Sequence, residues 1–138
     1  MKKGNPSYNI YVLGNPFIEE DSIPIRLIPK LESAFPFIQF IEIDPAENFP
    51  EEKHLFIIDT IRNATNVVVW EDIESIQTSP NYSLHDFDLG MALKLMKKLG
   101  KIERVTIFGT PSNGDEEEIL SELRNAISNS LPKNESHN

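Results

Sequence analysis

The chain contains no cysteine. Disulfides, thiolate metal sites and a cysteine nucleophile are thereby excluded. Positive charge is also scarce: 13 Lys and Arg stand against 22 Asp and Glu, a net charge of −9. That balance argues against nucleic acid as a partner, because binding phosphate needs a basic patch that releases counterions. The cations are dispersed except in "KLMKKLGKIER" (94–104), which reads as the exposed side and C-terminal end of a helix, where cations suit the dipole. Long apolar runs are missing too, and none approaches the ~20 residues of a membrane span. The opening "MKKGNPSYN" has a basic pair but no apolar stretch of signal-peptide length behind it. A cytoplasmic protein without membrane insertion is expected.

What is present is an ordinary soluble composition, 39% hydrophobic and 25% charged, in 138 residues. That size fits one domain, expected over residues 1–131, with a flexible tail at 132–138. Strand and helix signals alternate along it. "YNIYVLG", "FIQFIEID", "HLFIIDTI", "NVVVWED" and "RVTIFGT" are β-branched and aromatic runs, five strands in all. "DSIPIRLIPKLESAF" carries Ile23, Leu27, Leu31 and Phe35 at helical spacing, and Pro29 should kink it. "DFDLGMALKLMKKLG" does the same through Phe87, Met91, Leu95 and Leu99 before Gly100, and "DEEEILSELRNAISNSL" opens with acids suited to a helix N-terminus. The alternation predicts an α/β fold of three layers, a mostly parallel twisted sheet of about five strands with helices on both faces. The link between the third and fourth strands is too short for a parallel crossover, which makes the fourth an antiparallel edge strand.

In such sheets ligands sit beyond the C-terminal ends of the strands. Carboxylates gather there. The first strand leads through Gly14 and Asn15 to Glu19, Glu20 and Asp21; the second ends at Asp44 and the third at Asp59. A single Asp after a strand is commonly a cap or turn former. Asp59 is different, because it lies inside the apolar run "LFIIDTI", where an ionised group is expensive unless paired or bound to a cation. His85, in "SPNYSLHDFDLG" with Ser83 as candidate N-cap, falls in the first turn of the next helix. The dipole there keeps an imidazole neutral, the state that binds metal. Carboxylates and one imidazole on a rim suit a borderline divalent ion such as nickel, zinc or cadmium, with positions left open for substrate. His54 and His137 have no comparable setting.

The order "LGNPFIEED", "FIIDTI" and "SLHDFDLGMAL" resembles the [NiFe] hydrogenase maturation endopeptidases, which trim the C-terminus of the hydrogenase large subunit. The resemblance spans Ile10 to about Thr110. It implies an α/β fold and an endopeptidase classed as aspartic-type that recognises nickel already inserted in its precursor, with no tightly bound organic cofactor. The matching nickel ligands are Asp21, Asp59 and His85, and Asp44 matches a further acidic position. Asp44 or Glu20 would accept the proton in cleavage, and Asn15, Phe17 and Ile18 would lie against the precursor tail. The partner implied is the large-subunit precursor. Against the family's usual Gly-x-Gly-Asn turn and Asp-Gly-Gly, this chain has Val12 for the first glycine and "DPA" at 44–46.

No familiar protease motif competes, since cysteine is absent and no His-Glu-x-x-His occurs. A non-catalytic relative that keeps the fold and binds metal or a partner is the alternative. A phosphorelay receiver domain also carries acids after strand one and an Asp ending strand three, but needs a lysine where this chain has "FGTPSNG" with Thr110. No Gly-x-Gly-x-x-Gly or Gly-x-x-x-x-Gly-Lys is present to cradle phosphate.

Overall fold

The computed structural model describes residues 8–14, 22–44, 50–72, 83–84 and 87–131. The segment Asn15 to Asp21, His85 and the expected tail at 132–138 lie outside the described residues.

Five strands form one open sheet in the order β2-β1-β3-β6-β4. They are β1 (Tyr8–Val12), β2 (Ile38–Glu42), β3 (His54–Arg62), β4 (Val68–Trp70) and β6 (Arg104–Thr110). β1, β2, β3 and β6 are mutually parallel, and β4 runs antiparallel against β6 at one edge, as the short link from β3 requires. That link turns at Asn63, whose φ of 66° is a left-handed conformation asparagine tolerates. Glu122 holds the link in place, accepting from the Val67 backbone N–H at 2.8 Å and from Asn66 Nδ2 at 2.9 Å. A sixth, two-residue strand, β5 (Ser83–Leu84), pairs antiparallel with the end of β3 and was not legible as a strand in the sequence.

β3 explains the architecture. Its residues from Leu55 to Ile61 are buried without a break, the signature of a strand covered on both faces. On one face Phe56 and Ile58 join Ile10, Val12, Phe40 and Phe108 against α1 (Ile23–Ala34) and α3 (Glu116–Ser130). On the other, Leu55, Ile57 and Ile61 join Tyr11, Ile107 and Trp70 against Leu89 and Leu93 of α2 (Phe87–Lys98). The three layers are those expected, with two helices on one face and one on the other among the described residues. Trp70 is a core residue of the α2 face.

The helix ends follow their capping chemistry. Asp115 caps α3, its carboxylate accepting from the Glu117 N–H at 2.9 Å, and Glu116, Glu117 and Glu118 fill the first turn. Those acids are more than a solvated end: Glu116 pairs with Arg26, and Glu117 with Lys30 at 3.2 Å, tying α3 to α1. Both pairs are exposed and orient the helices more than they stabilise them. α2 ends in a Schellman motif, with Lys101 N–H bonded to Met96 O and Gly100 N–H to Lys97 O, and Gly100 takes the positive φ of 78° this needs. α1 places Pro24 in its first turn, where no N–H is required, and continues through Pro29 to Ala34.

Two readings change. Ser83 lies in β5, and α2 starts only at Phe87, because the end of β3 offers Ile61 and Arg62 as backbone partners to Leu84 and Ser83. The spacing Met91, Leu95, Leu99 marks the exposed side of α2, with 63%, 57% and 59% of each residue in solvent. The face turned to the sheet is Leu89, Leu93 and Met96. Two apolar stripes run along this helix, and periodicity alone does not say which is inside.

Gly109 of β6 shows how tight the centre is. A Cβ built there would lie 1.7 Å from Ile61 Cδ1 and 2.3 Å from its Cγ1. Gly109→Ala should therefore cost about 1–3 kcal/mol through overpacking, read as a lower midpoint in urea unfolding with an unchanged far-ultraviolet spectrum.

Candidate active site

The sheet places the strand ends of β1, β2, β3 and β6 on one rim, because all four run the same way. The ladders continue just past the strands, with Leu13 N–H bonded to Ile58 O at 2.9 Å and Ile43 N–H to Val12 O at 3.1 Å. Gly14 and Asp44 are therefore delivered to the same end of the sheet as the last residues of β3.

Asp59 stands on that rim at the strand in the middle of the sheet, opposite Gly109 in register. Only 2% of it is exposed. Burying a carboxylate costs several kcal/mol unless hydrogen-bond donors or a cation offset it. Gly109 opposite it carries no side chain, and the space above that glycine is filled by Ile61 of β3. One residue further, Thr60 lies opposite Thr110, both fully buried on the α1 side of the sheet. Neither Oγ1 meets a hydrogen-bond partner among the described residues. The pair lies on the other face of the sheet from Asp59, and Thr60 drew no notice in the sequence, where a threonine in a strand reads as an ordinary β former.

Asp44 is exposed and follows β2, with β1 between it and β3. By strand spacing it lies roughly 10 Å from the line of β3. The structure thus brings Asp44 and Asp59 to one rim but not into contact. β5 adds the approach of a third element. Leu84 pairs with Ile61, two residues past Asp59, and His85 is the next residue in sequence. His85, Asp21, Glu20, Asn15, Phe17 and Ile18 fall outside the described residues. Among the described residues no three His, Cys, Asp or Glu side chains come together to hold a metal ion.

The opposite rim carries a different polar group. His54 Nε2 meets Thr106 Oγ1 at 2.8 Å, and the ring stacks on Phe56 with centroids 4.1 Å apart. Glu71 and Arg104 close the group, with an exposed ion pair at 3.8 Å. Burial of the imidazole is the main cause of a His54 pKa below its ordinary value, the Arg104 charge adds to it, and Glu71 opposes. Nearby, the Tyr11 hydroxyl donates to Glu52, and burial together with that acceptor pushes its pKa up to about 12. Asn9 Nδ2 donates to the same carboxylate at 3.2 Å. These contacts fasten the segment leading into β3 and are remote from Asp59.

An α/β sheet with a buried carboxylate on its C-terminal rim defines a fold in which ligands meet the strand ends. A family model described as hydrogenase maturation protease matches residues 42–137, well over half of the chain. The chain belongs to that family, a family of peptidases. The matched span contains Asp44, Asp59 and His85, whereas Glu20 and Asp21 precede it. No curated protein and no solved structure matches the chain. No helix among the described residues is long and apolar enough to cross a membrane.

The His54 group gives a test of the lower rim. A lowered pKa means that the folded protein binds fewer protons than the unfolded chain, so the contribution is complete above the unfolded value near 6.5 and is lost as pH falls below it. The urea midpoint should drop between about pH 7.5 and 5.5, and His54→Gln should drop less.

Proposed function

We propose that the protein is the endopeptidase that removes the C-terminal extension of a nickel-loaded [NiFe] hydrogenase large-subunit precursor, with the substrate's nickel as recognition mark. Membership of the maturation protease family supports the peptidase role. The observation that carries the site is Asp59, a carboxylate buried in the middle strand of the sheet at the rim where such folds bind ligands. A carboxylate at that place is suited to meet a cation that arrives with the substrate.

In this reading Asp21, Asp59 and His85 supply one imidazole and two carboxylates to the nickel of the precursor. That donor set suits a borderline divalent ion and leaves positions for the precursor's own ligands. Engagement of the metal fixes the tail and brings one peptide bond against the rim, which is catalysis by positioning. Asp44 or Glu20 accepts a proton from the attacking water. Asp44 is exposed and roughly two strand spacings from Asp59, a separation that leaves room for a peptide and a water between them. Asn15, Phe17 and Ile18, which follow β1 in sequence, flank the tail. A precursor without nickel offers the rim nothing to hold, and so escapes cleavage.

A non-catalytic relative is the second reading, favoured by the replacement of the family's first glycine by Val12 and of its Asp-Gly-Gly by "DPA". Mass spectrometry of precursor incubated with the protein separates the two. Loss of a C-terminal peptide from nickel-loaded but not nickel-free precursor is the expected result, and an intact, fully loaded precursor rejects the peptidase. Asp59→Asn and His85→Ala should each slow trimming by about a hundredfold or more with an unchanged circular dichroism spectrum.

A further inference from the structure

The outer side of α2 carries an apolar stripe that the fold does not use. Met91, Leu95 and Leu99 recur every four residues, one above the other on the helix, each more than half exposed. Lys94 and Lys98 line one side of the stripe and Lys97 lies further round on that side, all exposed, and Lys101 follows the cap. Among the described residues Lys101 pairs with Glu51 at 3.1 Å, while Lys94, Lys97 and Lys98 form no ion pair. In a chain of net charge −9 this is a concentrated cationic flank beside apolar side chains.

The stripe also has a direction. α2 begins two residues after His85 and three after Leu84, which pairs with the end of β3. It ends at the opposite rim, where Glu103 and Arg104 N–H groups bond to Lys53 O just before β3. Twelve residues of helix span about 18 Å. The stripe therefore runs from the rim that holds Asp59 down the side of the molecule.

We infer that this stripe is a second docking surface for the large-subunit precursor, one that receives an acidic segment with apolar side chains at its centre. The inference rests on the precursor reading above. Charge complementarity selects the occupant: the lysines demand carboxylates, and the stripe beside them demands apolar contact. A symmetric pair of copies is a poorer fit, since three side chains fall far short of the ~800 Å² per partner that a stable interface buries. An anionic membrane is poorer again, because a planar surface meets the whole acidic body whereas a peptide segment meets the lysines alone. A precursor already held at the rim needs little further area, because the second contact is then intramolecular. The stripe thus supplies discrimination among nickel-bearing proteins that the metal alone cannot provide.

The test measures binding and trimming separately. Immobilised nickel-loaded precursor is titrated with the wild-type protein, with Leu95→Glu and with the double variant Lys94→Glu/Lys98→Glu, at low and high salt. All the substituted residues are exposed, and circular dichroism checks their fold. Both variants should bind about tenfold or more weakly, and wild-type binding should weaken with salt. Their trimming should show a raised KM with kcat retained. Equal binding by all three proteins, or no binding by the wild type, overturns the inference. Precursor bound through the stripe but not trimmed by the wild type rejects the peptidase reading and leaves the docking surface standing. Two further outcomes overturn the inference: Leu95→Glu dissociating a wild-type dimer in sedimentation with precursor binding unchanged, and wild-type binding to phosphatidylserine vesicles in place of precursor.

Discussion

The parallel pairing of β3 with β6 is the constraint on which the rest depends. Seven residues of each strand are in register, from His54 with Arg104 to Thr60 with Thr110, and both faces of the pair are covered by helices. Every other element is placed relative to it. β1 extends the sheet on one side, β4 closes the other, α1 and α3 pack over Phe56, Ile58 and Phe108, and α2 packs over Leu55, Ile57 and Ile107. Because the two strands run the same way, their last residues emerge at a common rim, and the one acid in the run, Asp59, is fixed there by the same hydrogen bonds that build the core.

Much of this was legible because the signals were redundant. The run "HLFIIDTI" is continuous and apolar, and only a strand covered on both faces is written that way. The short link to "NVVVWED" forced an antiparallel edge strand, which is β4. Asp59 stood out as a charge within an apolar run, and its burial follows directly. Elsewhere the local signal was ambiguous. In α2, residues 89, 93 and 96 and residues 91, 95 and 99 both repeat at helical spacing, so the choice of inner face depended on how the helix lies on the sheet. β5 is two residues long and exists only because β3 overruns its parallel neighbours, a tertiary fact with no counterpart in the composition of Ser83 and Leu84.

The two rims divide the labour of the molecule. At the lower one, His54, Thr106, Tyr11, Asn9 and Glu52 form short-range polar contacts that hold the segment entering β3. Their perturbed ionisations reflect that burial and signal no chemistry. At the upper one, Asp59 is buried on the α2 side of the sheet, and Thr60 and Thr110 are buried on the α1 side. Comparable polar residues thus read as fastening at one end of a strand and as a candidate site at the other, and position in the sheet decides which.

The overrun of β3 past its parallel partners has a dynamic meaning. A strand's central amides exchange with solvent only through large openings, while a two-residue antiparallel attachment at its tip opens locally at much lower cost. Asp59 sits on the slow part and β5 on the fast part of one continuous ladder. The carboxylate is thus a stationary datum, while the end of β3 beyond it can release and regain Ser83 and Leu84 without disturbing the core. One strand thereby combines a fixed, buried acid with a tip whose outer pairing opens on its own.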